Sequence, residues 1–343
     1  MPTVRWTRAI ERSDRHSLLN PPADADSMRE RCSIGVDIGH TNMRVARVED
    51  GAPVEVRKER TDVPGGVEGV LEQARMMIEE LDEGRRSPVG VGIAGQCDNA
   101  RGVLRYGPNF FWPDTPFQGM LSSAVGAPVV LRNDVVMATM GEWKYGAGRG
   151  AKDLACLFVG TGIGGGAVVG GRLIDGATGC GGHFGHISVQ MDGPLCTCGR
   201  RGCVEAYAGG GNVEGRVRRA LAEDAGASAM LMEMSGGDLG MLSSRMVAEA
   251  AGKGDDYSLS VRDEMAAALS SAAASVINSL NPERVVLGGT VLFGFPRLFD
   301  MVVEGATAQC LGPATIGLAI ERSALGDLAG VVGAATMALE IYG

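Results

Sequence analysis

The chain has 343 residues, enough for two lobes that each bury a core, and its 45% hydrophobic and 21% charged content is ordinary for a globular protein. A net charge of −9 with no Lys/Arg block argues against phosphate-backbone binding, so no nucleic-acid partner is expected, and no apolar run is long enough to span a membrane. Its 53 glycines cluster in short runs without a period, which excludes collagen-like repeats and points to many tight turns.

Residues 1–31 lack the apolar stretch of a secretory signal and are expected to be a disordered extension of a cytoplasmic protein. Apolar runs at 34–38, 43–48 and 54–57, broken by Gly39 and by Asp50-Gly51, predict three strands joined by tight turns. Helical spacing follows over 66–82, then a buried strand at 89–94. The segment APVVLRND predicts a strand ending at Asp134 and a helix over 134–147. DLACLFVGTGIGGGAVVGGRLI repeats the opening theme of strand, glycine turn and strand. Helices are expected near 241–252, 260–280, 294–308 and 328–341, with the strand RVVLGG before the third of these. Strands alternating with helices give an α/β class.

The strongest chemical signal is GGHFGHISVQMDGPLCTCGRRGCVEAY. It supplies His186, Cys196, Cys198 and Cys203, and Zn²⁺ accepts three thiolates and an imidazole in a closed, structural tetrahedron. The alternative is a glycine-rich loop with reduced, idle thiols. In VGTGIGGG, residues 159–166, backbone N–H groups and the Thr161 hydroxyl could cradle phosphate, or the glycines could serve only the bend. A strand follows this turn, so it is neither a Walker loop nor a dinucleotide fingerprint. Asp37, Gly39 and Thr41 form DxGxT, where a strand-end carboxylate could hold Mg²⁺ through water or merely stabilise the turn. Asp134 could accept a proton from an attacking hydroxyl, although by residue type alone an N-cap is the favoured role. Asn281-Pro282 ends a helix, and Gly288 and Gly289 after it would let a flat base approach backbone or simply make a turn.

The order DxGxT, Asn-Asp, GTGxGGG, His-Cys-Cys-Cys and NPxxVVLGG resembles the repressor–ORF–kinase (ROK) family of sugar kinases and repressors over about 32–341. The resemblance implies the actin-like, ribonuclease H-like fold, with two lobes built on a duplicated β-sheet that close over sugar and nucleotide. A small lobe would span 32–133, with helix 328–343 returning to it, and a large lobe 134–327 would carry a zinc-binding sugar loop at 183–205. Asp37, Gly39 and Thr41 would form the first phosphate element, Gly160, Thr161, Gly162 and Gly164 the second, and Gly288 and Gly289 the adenosine element. Asp134 would be the catalytic base. Gly95, Asn109, Asn133, His183, His186 and Glu205 would surround the sugar, with His186 serving zinc as well.

The implied activity is Mg²⁺-assisted transfer of the γ-phosphoryl group of ATP to the 6-hydroxyl of a hexose, with glucose or N-acetylmannosamine as substrate, by a homodimer. Three departures stand out. The family's ExGH appears here as His183-Phe-Gly-His186, a GHxGH form that some bacterial N-acetylmannosamine kinases of the family resemble. The first turn reads GHTN where glucokinases more often show GGTK, and GIAG replaces the commoner GxPG. The family's repressors carry a helix-turn-helix segment ahead of the first hairpin, and residues 1–31 show no paired-helix pattern. A non-catalytic sugar sensor is a second alternative, and polyphosphate an alternative donor.

Overall fold

The structure, a computed structural model, describes residues 32–107, 110 and 112–343. The extension over 1–31 and the expected sugar contact Asn109 lie outside them. In chain order the chain forms β1 (Cys32–Ile38), β2 (Asn42–Glu49), β3 (Ala52–Arg60), α1 (Gly66–Asp82), β4 (Val89–Ile93), β5 (Gln96–Asp98), β6 (Val103–Tyr106), β7 (Pro113–Thr115), α2 (Phe117–Val125), β8 (Val129–Asn133) and α3 (Asp134–Tyr145). It continues with β9 (Leu154–Val159), β10 (Ile163–Val169), β11 (Arg172–Leu173), α4 (Val204–Ala208), α5 (Gly210–Glu223), α6 (Ala229–Met234), α7 (Ser244–Gly252) and α8 (Asp256–Leu280). Last come β12 (Arg284–Gly288), α9 (Thr290–Gly294), α10 (Leu298–Gln309), β13 (Ala319–Arg322) and α11 (Ala329–Tyr342).

These elements form two compact units. One takes the described residues up to Gly141 together with Leu328–Gly343, and the other is Glu142–Asp327. The division falls inside α3, after Gly141, whereas the lobe boundary implied by the family resemblance lay before Asp134. The first turns of α3 pack on the first unit's sheet: a Cβ on Gly92 of β4 would meet the Met137 side chain at 3.3 Å.

In the first unit a five-stranded sheet runs β3-β2-β1-β4-β8, with β1, β2 and β3 antiparallel and β1, β4 and β8 parallel. Alternation decides its two faces. Ile34, Val36, Ile38, Val89, Val91 and Ile93 are fully buried in one core with α1 and α2. The intervening Ser33, Gly35 and Gly90 on the other face are small, and α11 lies there. A Cβ on Gly90 would stand 1.8 Å from the Ala334 carbonyl oxygen, and one on Gly35 1.8 Å from that of Val331. Ser33 Oγ adds a buried hydrogen bond to Ala335 O at 2.9 Å. A separate sheet, β5-β6-β7, follows β4.

The second unit repeats the topology as β11-β10-β9-β12-β13, again antiparallel through the first three strands and parallel through β9, β12 and β13. Ala155, Leu157, Val159, Val285 and Leu287 face a core completed by α8 and α10. The long α8 starts at Asp255, whose carboxylate accepts the Ser258 N–H at 2.9 Å, and stops at Asn281 in the left-handed conformation. Among the described residues, no helix is long and apolar enough to cross a membrane.

Candidate active site

In the first unit the β1–β2 turn presents Gly39, His40 and Thr41. The Gly39 N–H closes the turn on Asn42 O at 3.0 Å, and the Thr61 hydroxyl donates to Gly39 O at 2.6 Å. Among the described residues, the His40 and Thr41 amides have no acceptor, and both residues are exposed. Asp37 stands at the strand end below, with Arg44 Nη1 3.6 Å from its Oδ2. Arg44 was not anticipated, yet the register pairs it directly with Asp37 across the hairpin, so counting back from the turn would have found it. The first turn of α11 also reaches this carboxylate, because a Cβ on Gly330 would lie 3.0 Å from Asp37 Cγ.

Where β8 ends, Asn133 and Asp134 divide two tasks. Asn133 Oδ1 accepts the N–H of Val135 at 3.0 Å and of Val136 at 3.3 Å, the pattern of a helix N-cap. Its Nδ2 donates to Gly95 O at 3.0 Å. The cap is therefore Asn133, and the capping role that residue type favoured for Asp134 is corrected by one position. Asp134 opens the first helical turn, its Oδ1 accepting the Val135 N–H at 2.9 Å. Burial pushes its carboxyl up to about 6, against the hydrogen bonds from Val135, its own amide and Asn133. Gly95 leaves no room for a side chain, since a Cβ would meet Leu104 Cδ1 and Tyr106 O at 2.7 Å.

In the second unit the β9–β10 turn has the same build. Gly160 N–H donates to Gly162 O at 2.9 Å, and among the described residues the exposed Thr161 and Gly162 amides have no acceptor. Gly164 lies one residue into β10, paired with Phe158. Gly289, at φ 103°, abuts the entry to this turn: a Cβ there would come within 2.2 Å of Val159 O. Gly288 is likewise closed in by the Phe158 ring at 2.7 Å.

The metal-type residues of the same unit come together. One ligand atom from each of His186, Cys196, Cys198 and Cys203 lies within 4.8 Å of the others. Cys198 and Cys203 Sγ are 3.7 Å apart, and Cys196 Sγ is 3.9 Å from His186 Nδ1. Tetrahedral zinc with its usual bond lengths needs about 3.8 Å between sulfurs and about 3.6 Å from sulfur to nitrogen, so the donor set fits that ion. The loop is folded by backbone bonds: Cys196 N–H to Arg200 O at 2.8 Å, Gly199 N–H to Cys196 O at 2.9 Å, and Gly202 N–H to Pro194 O at 3.0 Å. Gly202 has φ 75°, and a Cβ on it would strike Gln190 O at 1.5 Å.

Glu205 joins this loop to the glycine turn. Its Oε2 accepts the Ile163 N–H at 2.8 Å, and its Oε1 receives the Thr197 hydroxyl at 3.3 Å and the Cys196 thiol at 3.5 Å. Thr197 and the Ile163 amide were not anticipated; only a serine or threonine between two ligand cysteines hinted at the former. The His183 and His186 rings lie 6.3 Å apart and nearly parallel. Burial, then the neighbouring His186, lowers the pKa of His183 against the pull of Glu205, which favours a neutral ring able to donate and accept.

The chain is similar to known proteins over most of its length. A model described as the ROK family matches residues 33–341. The glucokinase of Thermotoga maritima is 35% identical, covering 90% of this chain and 98% of that protein. The N-acetylmannosamine kinase of Citrobacter koseri is 27% identical, covering 89% of this chain and 98% of that one. A crystal structure of a ROK family glucokinase from Streptomyces griseus, in complex with glucose and AMPPNP, matches with a TM-score of 0.78 at 31% identity, covering 90% of this chain and 99% of that chain. The duplicated sheet is accordingly that of the actin-like ATPase fold. By fold and by sequence across nearly its whole described length, the chain belongs to the ROK family.

Proposed function

We propose that the protein is an ATP-dependent sugar kinase that phosphorylates the 6-hydroxyl of a hexose, glucose or N-acetylmannosamine. The observation that carries this reading is the division of labour at the head of α3. Asn133 caps the helix, and the carboxyl of Asp134 is left with a pKa of about 6, suited to taking a proton near neutral pH. In an in-line transfer the sugar O–H bond breaks as the oxygen–γ-phosphorus bond forms. The proton passes to Asp134, and the bond from γ-phosphorus to the β-bridging oxygen breaks to leave ADP.

The free amides of His40 and Thr41, and of Thr161 and Gly162, would donate to phosphate oxygens. Asp37 would hold Mg²⁺ through water, with Arg44 orienting it, and the Mg²⁺ ion would neutralise phosphate charge. Gly288 and Gly289 would admit the adenosine. Gly95, Asn109, Asn133, His183, His186 and Glu205 are assigned to the sugar. Zn²⁺ on His186, Cys196, Cys198 and Cys203 would be structural, since four protein ligands close its shell. Its need for reduced thiols supports a cytoplasmic setting, and family resemblance suggests a homodimer.

The glucokinase relative at 35% identity supports glucose, whereas His183 supports the amino sugar. A coupled ADP-release assay with Mg-ATP across glucose, N-acetylmannosamine, N-acetylglucosamine, mannose, fructose and allose tests the proposal. Sugar-dependent turnover that collapses in Asp134→Asn supports it. Thermal stabilisation by a sugar without turnover would replace it with a sensor.

A further inference from the structure

The glycine turn of the second unit is held from one side by the segment that follows the metal loop. Besides the Glu205 bond to the Ile163 N–H at 2.8 Å, Gly210 N–H donates to Gly160 O and Gly211 N–H to Thr161 O, both at 2.9 Å. With the turn's carbonyls and its Ile163 amide so engaged, the Thr161 and Gly162 amides are left to donate outward. Glycine at 162 has a physical reason, because a Cβ would stand 2.7 Å from Glu205 Oε2. The other carboxylate oxygen receives the hydroxyl of Thr197, which lies between the ligand-type residues Cys196 and Cys198, and Glu205 itself comes two residues after Cys203.

We infer that Glu205 is a positioning residue for the nucleotide: it ties the metal loop to the phosphate turn, so that a metal-loaded loop tightens nucleotide binding even when no sugar is present. This rests on the reading of residues 160–164 as a phosphate element and adds a link that a sugar contact does not require. The physical reason is the loop's freedom. With Cys196 and Cys198 both held, Thr197 between them has one position, and Glu205 keeps its anchor. Without the ion no bond ties the ligand cysteines to one another, so Thr197 is freer to move and the Ile163 amide loses a fixed charged acceptor.

The test is calorimetric titration of the full-length, zinc-loaded protein with Mg-AMPPNP in the absence of sugar. Glu205→Ala is expected to weaken binding about tenfold, the worth of one hydrogen bond to a charged acceptor. Glu205→Gln, which keeps an oxygen for Ile163, should recover most of that loss. Chelator-stripped wild type, dialysed free of chelator, should show a similar weakening and faster hydrogen exchange at the Ile163 amide. Gly162→Ala displaces the carboxylate by another route, and the Gly162→Ala, Glu205→Ala double variant should bind no more weakly than Glu205→Ala alone. Wild-type affinity in Glu205→Ala, or in the stripped protein, overturns the inference while leaving the kinase reading intact. Absence of any Mg-AMPPNP binding by folded, zinc-loaded wild type would overturn both.

Discussion

The Nδ2 group of Asn133 donates to the carbonyl of Gly95 over 3.0 Å, and the same side chain's Oδ1 caps α3 through Val135 and Val136. One amide thus fixes the turn after β4 and the start of α3 together, and it spares the next residue from capping. Asp134→Asn should keep this architecture and remove only the base. Sugar phosphorylation should fall by about 10²–10⁴-fold in kcat, with the affinity for Mg-AMPPNP little changed. The variant should also be more stable at pH 7.5. A carboxyl whose folded pKa is raised from 3.8 to about 6 costs stability in its charged form, so removing that charge returns about 1–3 kcal/mol. Most of that gain should be lost at pH 3.5, where the folded carboxyl is neutral and the unfolded one mostly so. Thermal melts at the two pH values check this, and an Asp134→Asn melt equal to wild type at pH 7.5 would refute it.

The same raised carboxyl sets the pH profile. On the proposed mechanism catalysis needs the carboxylate, so kcat/KM for the sugar at saturating Mg-ATP should be flat above about pH 7 and fall on acidification through about 6. At pH 5 it should stand roughly tenfold below the plateau, with a limiting slope of one. A profile flat down to pH 5 would remove Asp134 from the proton-transfer step.

Much of this was legible in the sequence, for identifiable reasons. The strands β1, β2, β4, β9 and β12 announce themselves as apolar runs cut by glycine, and α8 by its length and its Asn281-Pro282 stop. The His-Cys-Cys-Cys cluster was legible because four ligand-type residues lie close along the chain. The sheet β5-β6-β7 was not foreseen: its strands have three or four residues, too few for a period to show. Nor was α5, which opens on Gly210-Gly211 and carries only a narrow apolar stripe of Val213, Val217 and Leu221. The cap at Asn133 was missed because two adjacent residues suit that role, and only helix register chooses between them. The links of Glu205 depend on a contact across more than forty residues of sequence, which no local pattern encodes.

Gly90 supports a stability prediction of opposite sign to that at Gly119. A methyl on Gly90 would stand 1.8 Å from the Ala334 carbonyl oxygen, which is backbone of α11 and cannot turn aside. Gly90→Ala should therefore push α11 off the sheet and cost about 3 kcal/mol or more. Gly119 is exposed within α2, and nothing lies within 4 Å of a Cβ there, so Gly119→Ala should stabilise by about 0.5–1 kcal/mol. Chemical denaturation of both variants tests the pair. Equal midpoints would mean that α11 does not depend on the small face of β1 and β4.

His183 is where substrate preference should respond to one change. A half-buried neutral imidazole can both donate and accept, whereas the glutamate of the ExGH form only accepts when ionised. The partner of a donating group at this position must be an acceptor, such as an acetamido carbonyl; that of an accepting carboxylate must be a hydroxyl or N–H. His183→Glu should accordingly shift kcat/KM from N-acetylmannosamine towards glucose, by about tenfold or more in the ratio, because the mismatched sugar leaves a buried polar group unpaired. Most of the change should appear in KM for the sugar, with KM for ATP held, since His183 is assigned no role at the phosphates. The measurement is the ratio of the two sugars' kcat/KM in wild type and variant under one set of conditions. A ratio that does not move would show that this position does not read the group at the second carbon, and specificity would then have to be sought among Gly95, Asn109 and Asn133.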